Sequence, residues 1–98
     1  MILSNEPGYY LEDQFGIRIE NLIYVSEFGT SADEEKALYG FETLTFVPID
    51  TRLIDPNALS DSERDWLNKY HAQVLADVGP RLIDSAVKAW LDTATKPI

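Results

Sequence analysis

A glutamate stands in each of two short frames near the start of this chain: Ser4-Asn5-Glu6-Pro7-Gly8-Tyr9-Tyr10 and Gly16-Ile17-Arg18-Ile19-Glu20-Asn21. Each frame lies in a stretch that we interpret as β-strand, with residues 12–14 as the exposed loop between them. Facing side chains of an antiparallel pair lie about 5 Å apart. That distance suits ligands that converge on two cations roughly 3.5–4 Å apart. An isolated pair of acids is more often solvent-exposed, so the prediction depends on the surrounding residues.

The composition predicts one folded domain. The chain has 98 residues, of which 45% are hydrophobic and 11% aromatic, enough for a modest core. Seventeen acidic residues against eight basic ones give a net charge of −9, which argues against a nucleic-acid partner. The acidic excess is concentrated in residues 1–40, which fits a cation site. For Asp33, Glu34 and Glu35 we predict an ordinary solvated run.

Further classes are excluded by what the sequence lacks. There is no cysteine, so neither a disulfide nor a thiolate ligand is available, as is typical of a reducing compartment. The apolar runs are far shorter than the about 20 residues that cross a bilayer, and we expect no membrane association and no signal peptide. Because Met1 falls inside a predicted strand, we also expect the chain to be a fragment.

Local patterns predict three strands followed by two helices. Residues 15–26 alternate with period two and predict one strand, residues 29–39 a loop, and residues 41–47 a third strand. Ser60 and Glu63 have the spacing of a capping box at the start of a helix that Gly79 ends. Pro80 is placed to open a second helix, which gives an αα-hairpin.

The apolar stripes of these two predicted helices assign several residues to the core. The stripe of the second helix includes Leu82, Ile83 and Trp90, and Trp66 lies on the stripe of the first, so we expect both tryptophans to be buried. His71 borders the first stripe, and we interpret it as structural. Near the glutamates, Arg18 shares strand parity with Glu20 and is a candidate to orient it. Tyr9 and Tyr10 are candidates to line a pocket, although for at least one we expect ordinary packing.

These residues together resemble the C-terminal end of a Xaa-Pro aminopeptidase (aminopeptidase P), one of the pita-bread metallopeptidases. The two glutamate frames are similar to the last two metal-binding segments of that superfamily. Two further blocks resemble the extension of the longer Xaa-Pro aminopeptidases: Gly40-Phe41-Glu42-Thr43-Leu44-Thr45-Phe46-Val47-Pro48-Ile49-Asp50 and Trp66-Leu67-Asn68-Lys69-Tyr70-His71. The implied fold is α+β, with part of the pita-bread sheet and its two metal-ligand strands in residues 1–50 and a helical extension in residues 51–98.

The resemblance also implies roles for single residues. Glu6 would be a terminal ligand to one metal ion and would accept the proton of the attacking water, and Glu20 would bridge both ions. Arg18 would support the ligands, and Tyr10 would lie near the site. The implied cofactors are two divalent ions, manganese in this family, and the implied reaction removes the N-terminal residue from a peptide with proline second. A cytoplasmic homo-oligomer is implied as well.

The family's other ligands, two aspartates and a histidine on earlier segments, have no counterpart in these residues. We therefore expect this fragment by itself to be inactive and to hold no metal, since each ion needs several ligands. Two alternatives stay open. The chain could be a non-catalytic interaction or dimerisation module that pairs through an exposed sheet edge, or one part of a two-chain enzyme completed by a separate N-terminal piece.

Overall fold

A computed structural model describes residues 1–30 and 36–98 of the chain. The predicted solvated run Asp33-Glu34-Glu35 lies outside these residues. The chain divides into two compact units, Met1–Thr45 and Phe46–Ile98. The strands of the described part lie in the first unit and the helices in the second, which confirms the α+β prediction.

The described residues of the first unit form five strands: β1 (Ile2–Asn5), β2 (Gly8–Leu11), β3 (Phe15–Arg18), β4 (Asn21–Thr30) and β5 (Ala37–Thr43). β1, β4 and β5 form an antiparallel sheet with β4 in the centre, and β2 and β3 form an antiparallel pair. The loop predicted at residues 12–14 is confirmed as the turn between β2 and β3, where Gln14 N–H donates to the Leu11 carbonyl at 3.1 Å. Asp13 has a φ of 60°, a left-handed conformation that aspartate adopts more readily than most residues.

The predicted single strand over residues 15–26 is wrong, because the ladder breaks at Ile19 and Glu20. Pro7 has no N–H group, so this part of the ladder keeps only the bond from Ile19 N–H to the Pro7 carbonyl, at 3.1 Å. β1 also ends one residue before Glu6, so both glutamates lie between strands instead of within them. The prediction that each glutamate lies within a strand is therefore wrong, although strands flank both residues as expected.

The predicted loop at residues 29–39 and the predicted third strand at residues 41–47 are both displaced. β4 continues to Thr30, and β5 begins at Ala37 and ends at Thr43. The register of these strands shifts between Glu27 and Gly29, which is a bulge. The loop was predicted because residues 28–40 are polar and contain two glycines, and one of these, Gly29, lies at the bulge.

The second unit contains two helices, α1 (Asp61–Val78) and α2 (Ser85–Ala94), and two short 3₁₀ turns, Pro56–Ala58 and Gly79–Arg81. The capping box is confirmed. Ser60 Oγ accepts from Glu63 N–H at 3.2 Å, and Glu63 Oε1 accepts from Ser60 N–H at 3.3 Å.

The start of α2 differs from the prediction, because Pro80 lies in the second 3₁₀ turn and does not open the helix. Asp84 caps α2 instead, its carboxylate accepting the N–H groups of Ala86 and Val87. Leu82 and Ile83 therefore precede the helix, and Ile83 is 97% exposed.

The core of the second unit is formed by Tyr70, Val74 and Leu91. Partly buried side chains surround it: Phe46, Ile49, Leu75, Val78 and Leu82.

The expectation that both tryptophans are core residues is wrong. Trp66 is 44% exposed and Trp90 is 59% exposed. Trp66 stacks on Tyr70, with 5.4 Å between the ring centroids, so one face of its indole packs while the rest remains in water. In the part of the chain that the structure describes, no helix combines the length and the apolar character needed to cross a membrane.

Candidate functional site

Glu6 and Glu20 lie opposite each other in one interrupted antiparallel ladder. The register of β1 on β4, in which Asn5 faces Asn21, continues without a shift into the register of β2 on β3. Glu6 therefore faces Glu20 across the interruption, as the spacing of the two frames suggested.

The type of pair that the two glutamates form can be read from the bond next to them. Ile19 N–H donates to the Pro7 carbonyl, so that neighbouring pair is a hydrogen-bonded one. Hydrogen-bonded and non-hydrogen-bonded pairs alternate along an antiparallel ladder. Glu6 and Glu20 consequently occupy a non-hydrogen-bonded position, where facing Cα atoms approach to about 4.5 Å and side chains lie closest.

The guanidinium of Arg18, the last residue of β3, contacts both carboxylates. Its Nη2 lies 2.9 Å from Glu20 Oε2, and its Nη1 lies 3.5 Å from Glu6 Oε2. The three side chains are partly exposed, at 49% for Arg18, 49% for Glu6 and 38% for Glu20. Two carboxylates that face each other across a ladder repel, and the arginine between them offsets this repulsion. The contact with Glu20 matches the shared parity, whereas the contact with Glu6 was not foreseen.

Two glycines leave room for the Tyr10 ring on the sheet face that it shares with Arg18. A Cβ atom on Gly8 would lie 2.7 Å from the Tyr10 hydroxyl, and one on Gly16 would lie 2.7 Å from Tyr10 Cδ1. The ring thus lies across both glycines, with its hydroxyl over Gly8, which faces Arg18 in the ladder. Neither glycine was singled out from the sequence. The sequence feature that could have indicated this packing is Gly8 two positions before Tyr10, together with Gly16 in the facing position.

Tyr9 points to the opposite face of β2, where its ring contacts Phe15 with 6.1 Å between centroids. This is the ordinary packing expected for one of the two tyrosines. Only Tyr10 of the pair shares the face of the glutamates.

Behind the glutamates, on the other face of the sheet, lies a polar chain that the sequence analysis missed. Asn21 is 3% exposed. Its Oδ1 accepts from Asn5 Nδ2 at 3.2 Å, and its Nδ2 donates to Thr43 Oγ1 at 3.5 Å. Both asparagines belong to the glutamate frames, and the available signal was asparagine inside predicted strands, where it is depleted.

His71 belongs to the second unit and serves its packing. The side chain is fully buried, and its Nε2 accepts the Ile49 N–H at 3.0 Å. Burial lowers the pKa of His71 below its ordinary value, which favours the neutral ring that this bond requires. The next residue, Tyr70, donates its hydroxyl to the Val47 carbonyl at 2.8 Å. His71 and Tyr70 thus bind the segment that precedes the helices, in agreement with a structural role.

The donors gathered by Arg18 fit a divalent cation in type, since carboxylate oxygens are the ligands that Mg²⁺, Ca²⁺ and Mn²⁺ prefer. They do not complete a site. Within residues 1–30 and 36–98, no group of three or more histidine, cysteine, aspartate or glutamate side chains is arranged to hold a metal ion. Glu6 and Glu20 can therefore supply two ligands of a larger set.

Comparisons with known proteins give the family. A family model described as the C-terminal region of peptidase_M24 matches residues 37–98. Aminopeptidase P2 of Arabidopsis thaliana is 52% identical over 99 residues, covering 100% of this chain and 14% of that protein. A probable Xaa-Pro aminopeptidase P of Tuber melanosporum is 46% identical over 100 residues, covering 100% of this chain and 16% of that protein. The chain thus spans only about a sixth or less of these relatives.

A solved structure agrees with these relatives. The X-prolyl aminopeptidase of Caenorhabditis elegans, described as a cytosolic enzyme with a di-nuclear active site, superposes with a TM-score of 0.87 at 39% identity. The match covers 99% of this chain and 16% of that enzyme. The resemblance to the Xaa-Pro aminopeptidases is confirmed, and the chain belongs to the C-terminal region of the M24 peptidase family.

Proposed function

We propose that this chain is the C-terminal part of a dinuclear-metal Xaa-Pro aminopeptidase, which removes the N-terminal residue from peptides with proline second. Glu6 would be a ligand of one ion and Glu20 a ligand of both, and the ions would be manganese. The observation that supports this most directly is the facing pair of glutamates held by Arg18. It occurs in a chain whose C. elegans relative has a di-nuclear active site.

The residues of this chain have separate tasks in the proposed reaction. When bound, a pair of divalent cations lowers the pKa of water and polarises the scissile carbonyl. Glu6 accepts the proton of the attacking water. Arg18 keeps both carboxylates on one face of the ladder and compensates their charge. Tyr10 presents its phenol on the same face and borders the space for the peptide substrate.

The wider context of the enzyme is part of the same proposal. Residues 1–50 carry the ligands and residues 51–98 form the helical extension. The enzyme acts in the cytoplasm as a homo-oligomer on peptides, with no nucleic-acid or membrane partner. The net charge of −9 supports the absence of a nucleic-acid partner, and the cytosolic C. elegans relative supports the location. The 98 residues alone are inactive, because two carboxylates leave most coordination positions of two ions unfilled.

A chimera tests the proposal. The matching segment of the C. elegans X-prolyl aminopeptidase is replaced by this chain, and kcat/KM is measured on a peptide with proline second. We expect activity, and we expect Glu6→Gln or Glu20→Gln to lower it by about 100-fold or more, above the 10–100-fold typical of residues that only support a ligand. The matched control is Glu42→Gln, since Glu42 is a strand glutamate that accepts a hydrogen bond from the Tyr24 hydroxyl. Full activity of Glu6→Gln contradicts the proposal.

The second candidate function is a non-catalytic pairing module. It is favoured by the open edges of the described sheet, in which β1 and β5 each pair with β4 on one side only. Such edges recruit further strands. A folded chimera that binds metal but has no activity, together with a dimeric 98-residue chain in light scattering, supports this candidate over the enzyme.

A further inference from the structure

We infer that Asn21 is a positioning residue, whose buried amide holds β1 in register on β4 beyond the interruption at Pro7 and thereby keeps Glu6 opposite Glu20. That these carboxylates bind metal rests on the proposed function. The placement of the two side chains does not depend on it.

The Asn21 amide connects three strands. From the central strand β4 it accepts a hydrogen bond from Asn5 of β1, at 3.2 Å, and donates one to Thr43 of β5, at 3.5 Å. Asn21 is only 3% exposed, so water does not replace these partners. A slipped β1 would carry Asn5 away and leave a buried acceptor without its donor, which is unfavourable.

Apolar burial does not select this register. All four residues of β1 are exposed, including Ile2 and Leu3 at 66% and 39%. Register is strongly specified where one face of a strand is buried and weakly specified otherwise. The turn at residues 12–14 sets the register of β2 on β3, and the polar contact between Asn5 and Asn21 holds the same register in β1 and β4 beyond the interruption.

The glutamates are sensitive to a slip because they are immediate neighbours of this contact. Glu6 follows Asn5 and Glu20 precedes Asn21, so each pair of neighbours points to opposite faces. A slip of one residue would move Glu6 to the wrong face. A slip of two residues would set Glu6 against a different partner and leave Arg18 unable to join both carboxylates.

Introduced disulfides measure the register directly, because the chain contains no cysteine of its own. The in-register reporter carries Ser4→Cys with Leu22→Cys, which face each other in the ladder. The slipped reporter carries Ile2→Cys with Leu22→Cys, a diagonal pair about 7–8 Å apart and outside the usual disulfide range. Both are oxidised without metal in a glutathione buffer, and the ratio of the two oxidation rates is determined.

With Asn21 in place, we expect the in-register reporter to oxidise about 10-fold faster or more, since only its geometry suits the bond. Asn21→Leu should lower this ratio about fivefold or more by permitting slipped pairing. Thr43→Val, which removes one bond and keeps the amide, should lower it by about two- to fivefold. The control is Ile23→Ala, which weakens the same sheet beside Asn21 and should leave the ratio unchanged.

The inference is overturned if Asn21→Leu and Thr43→Val both keep the ratio within about twofold of the parent, because a residue that only stabilises the sheet does not alter register. If Asn21→Leu fails to fold, the oxidation ratio of Thr43→Val alone tests the inference against the same threshold. An inactive chimera counts against the proposed function, but the oxidation ratio of the 98-residue chain does not depend on activity. Failure of the proposed function and failure of this inference are therefore distinguishable.

Discussion

At the scale of single residues, Arg18 balances the charge of the facing glutamates. Arg18→Gln leaves two carboxylates opposite each other without a cation between them. We expect a loss of about 0.5–1 kcal/mol in the free energy of unfolding, because exposed ion pairs contribute up to about 1 kcal/mol and like charges in facing positions repel. Urea unfolding at low ionic strength measures this loss.

A second substitution separates charge from packing. Adding Glu6→Gln to Arg18→Gln removes the repulsion and should restore part of the lost stability, and added salt should reduce the loss as well. The control is Lys69→Gln, which breaks the exposed Lys69–Asp65 ion pair of α1. If neither Glu6→Gln nor salt changes the effect of Arg18→Gln, the arginine acts by packing and the charge argument is wrong.

His71 predicts a pH dependence of stability. Burial lowers its pKa in the folded chain, so the unfolded chain binds a proton more readily. The contribution of His71 is complete above its ordinary pKa of about 6.5 and is lost progressively as the pH falls below that value. Thermal unfolding followed between about pH 7.5 and pH 5.5 should show the decline.

His71→Gln is the matched variant, because a glutamine oxygen can accept the Ile49 N–H without titrating in this range. We expect its unfolding temperature to vary less between the two pH values than that of the parent. An equal decline in both proteins assigns the pH dependence to other groups.

At the scale of secondary structure, the close approach of Tyr10 to Gly16 gives a prediction of opposite sign for two glycines. In a strand interior, alanine is favoured over glycine by about 0.5–1 kcal/mol. Gly40→Ala in β5 should show this gain, since its Cβ would meet Phe28 at an ordinary 3.4 Å. Gly16→Ala in β3 should destabilise the chain by about 1 kcal/mol, because its Cβ would lie 2.7 Å from the Tyr10 ring.

Chemical denaturation of both variants measures the difference. Combining Gly16→Ala with Tyr10→Leu, which removes the ring, should recover most of the loss. A Gly16→Ala variant as stable as Gly40→Ala would show that the ring does not lie over the glycines.

Elements with a chemical signal at their ends could be predicted from the sequence. The Ser60 capping box and the end of α1 before Gly79 were identified correctly because each depends on nearby residues. The start of α2 was missed since the Asp84 cap competes with Pro80 as a signal. The bulge after Glu27 was missed because pairing with β5, a long-range property, decides where it lies.

The same distinction holds for the site. The convergence of Glu6 and Glu20 was predictable, since a short loop between two strands restricts how they can pair. The contact of Arg18 with both carboxylates was not, because it depends on the register that sets Gly8 opposite Arg18 and Glu6 on its diagonal. The Asn21 network required knowledge of which face is buried, and alternation in four exposed residues of β1 does not reveal it.

At the scale of the whole molecule, the comparisons that give the family cover different parts of the chain. The family model covers residues 37–98, beyond both glutamates, whereas the relatives match the chain from end to end. The helical extension is therefore supported by both kinds of comparison, and the glutamate frames are supported by the relatives alone. Their joint presence is what makes a peptidase segment a better explanation than a helical module alone.

The unbroken register through the ladder has a consequence for folding. The turn at residues 12–14 closes a local hairpin, and hairpins of this kind form in about 1–10 μs. Pairing then extends from the turn past Arg18 to Glu6 and Glu20 and onward into β1. The two carboxylates thus meet through a local event of low contact order, which does not require β4 to pair with β5.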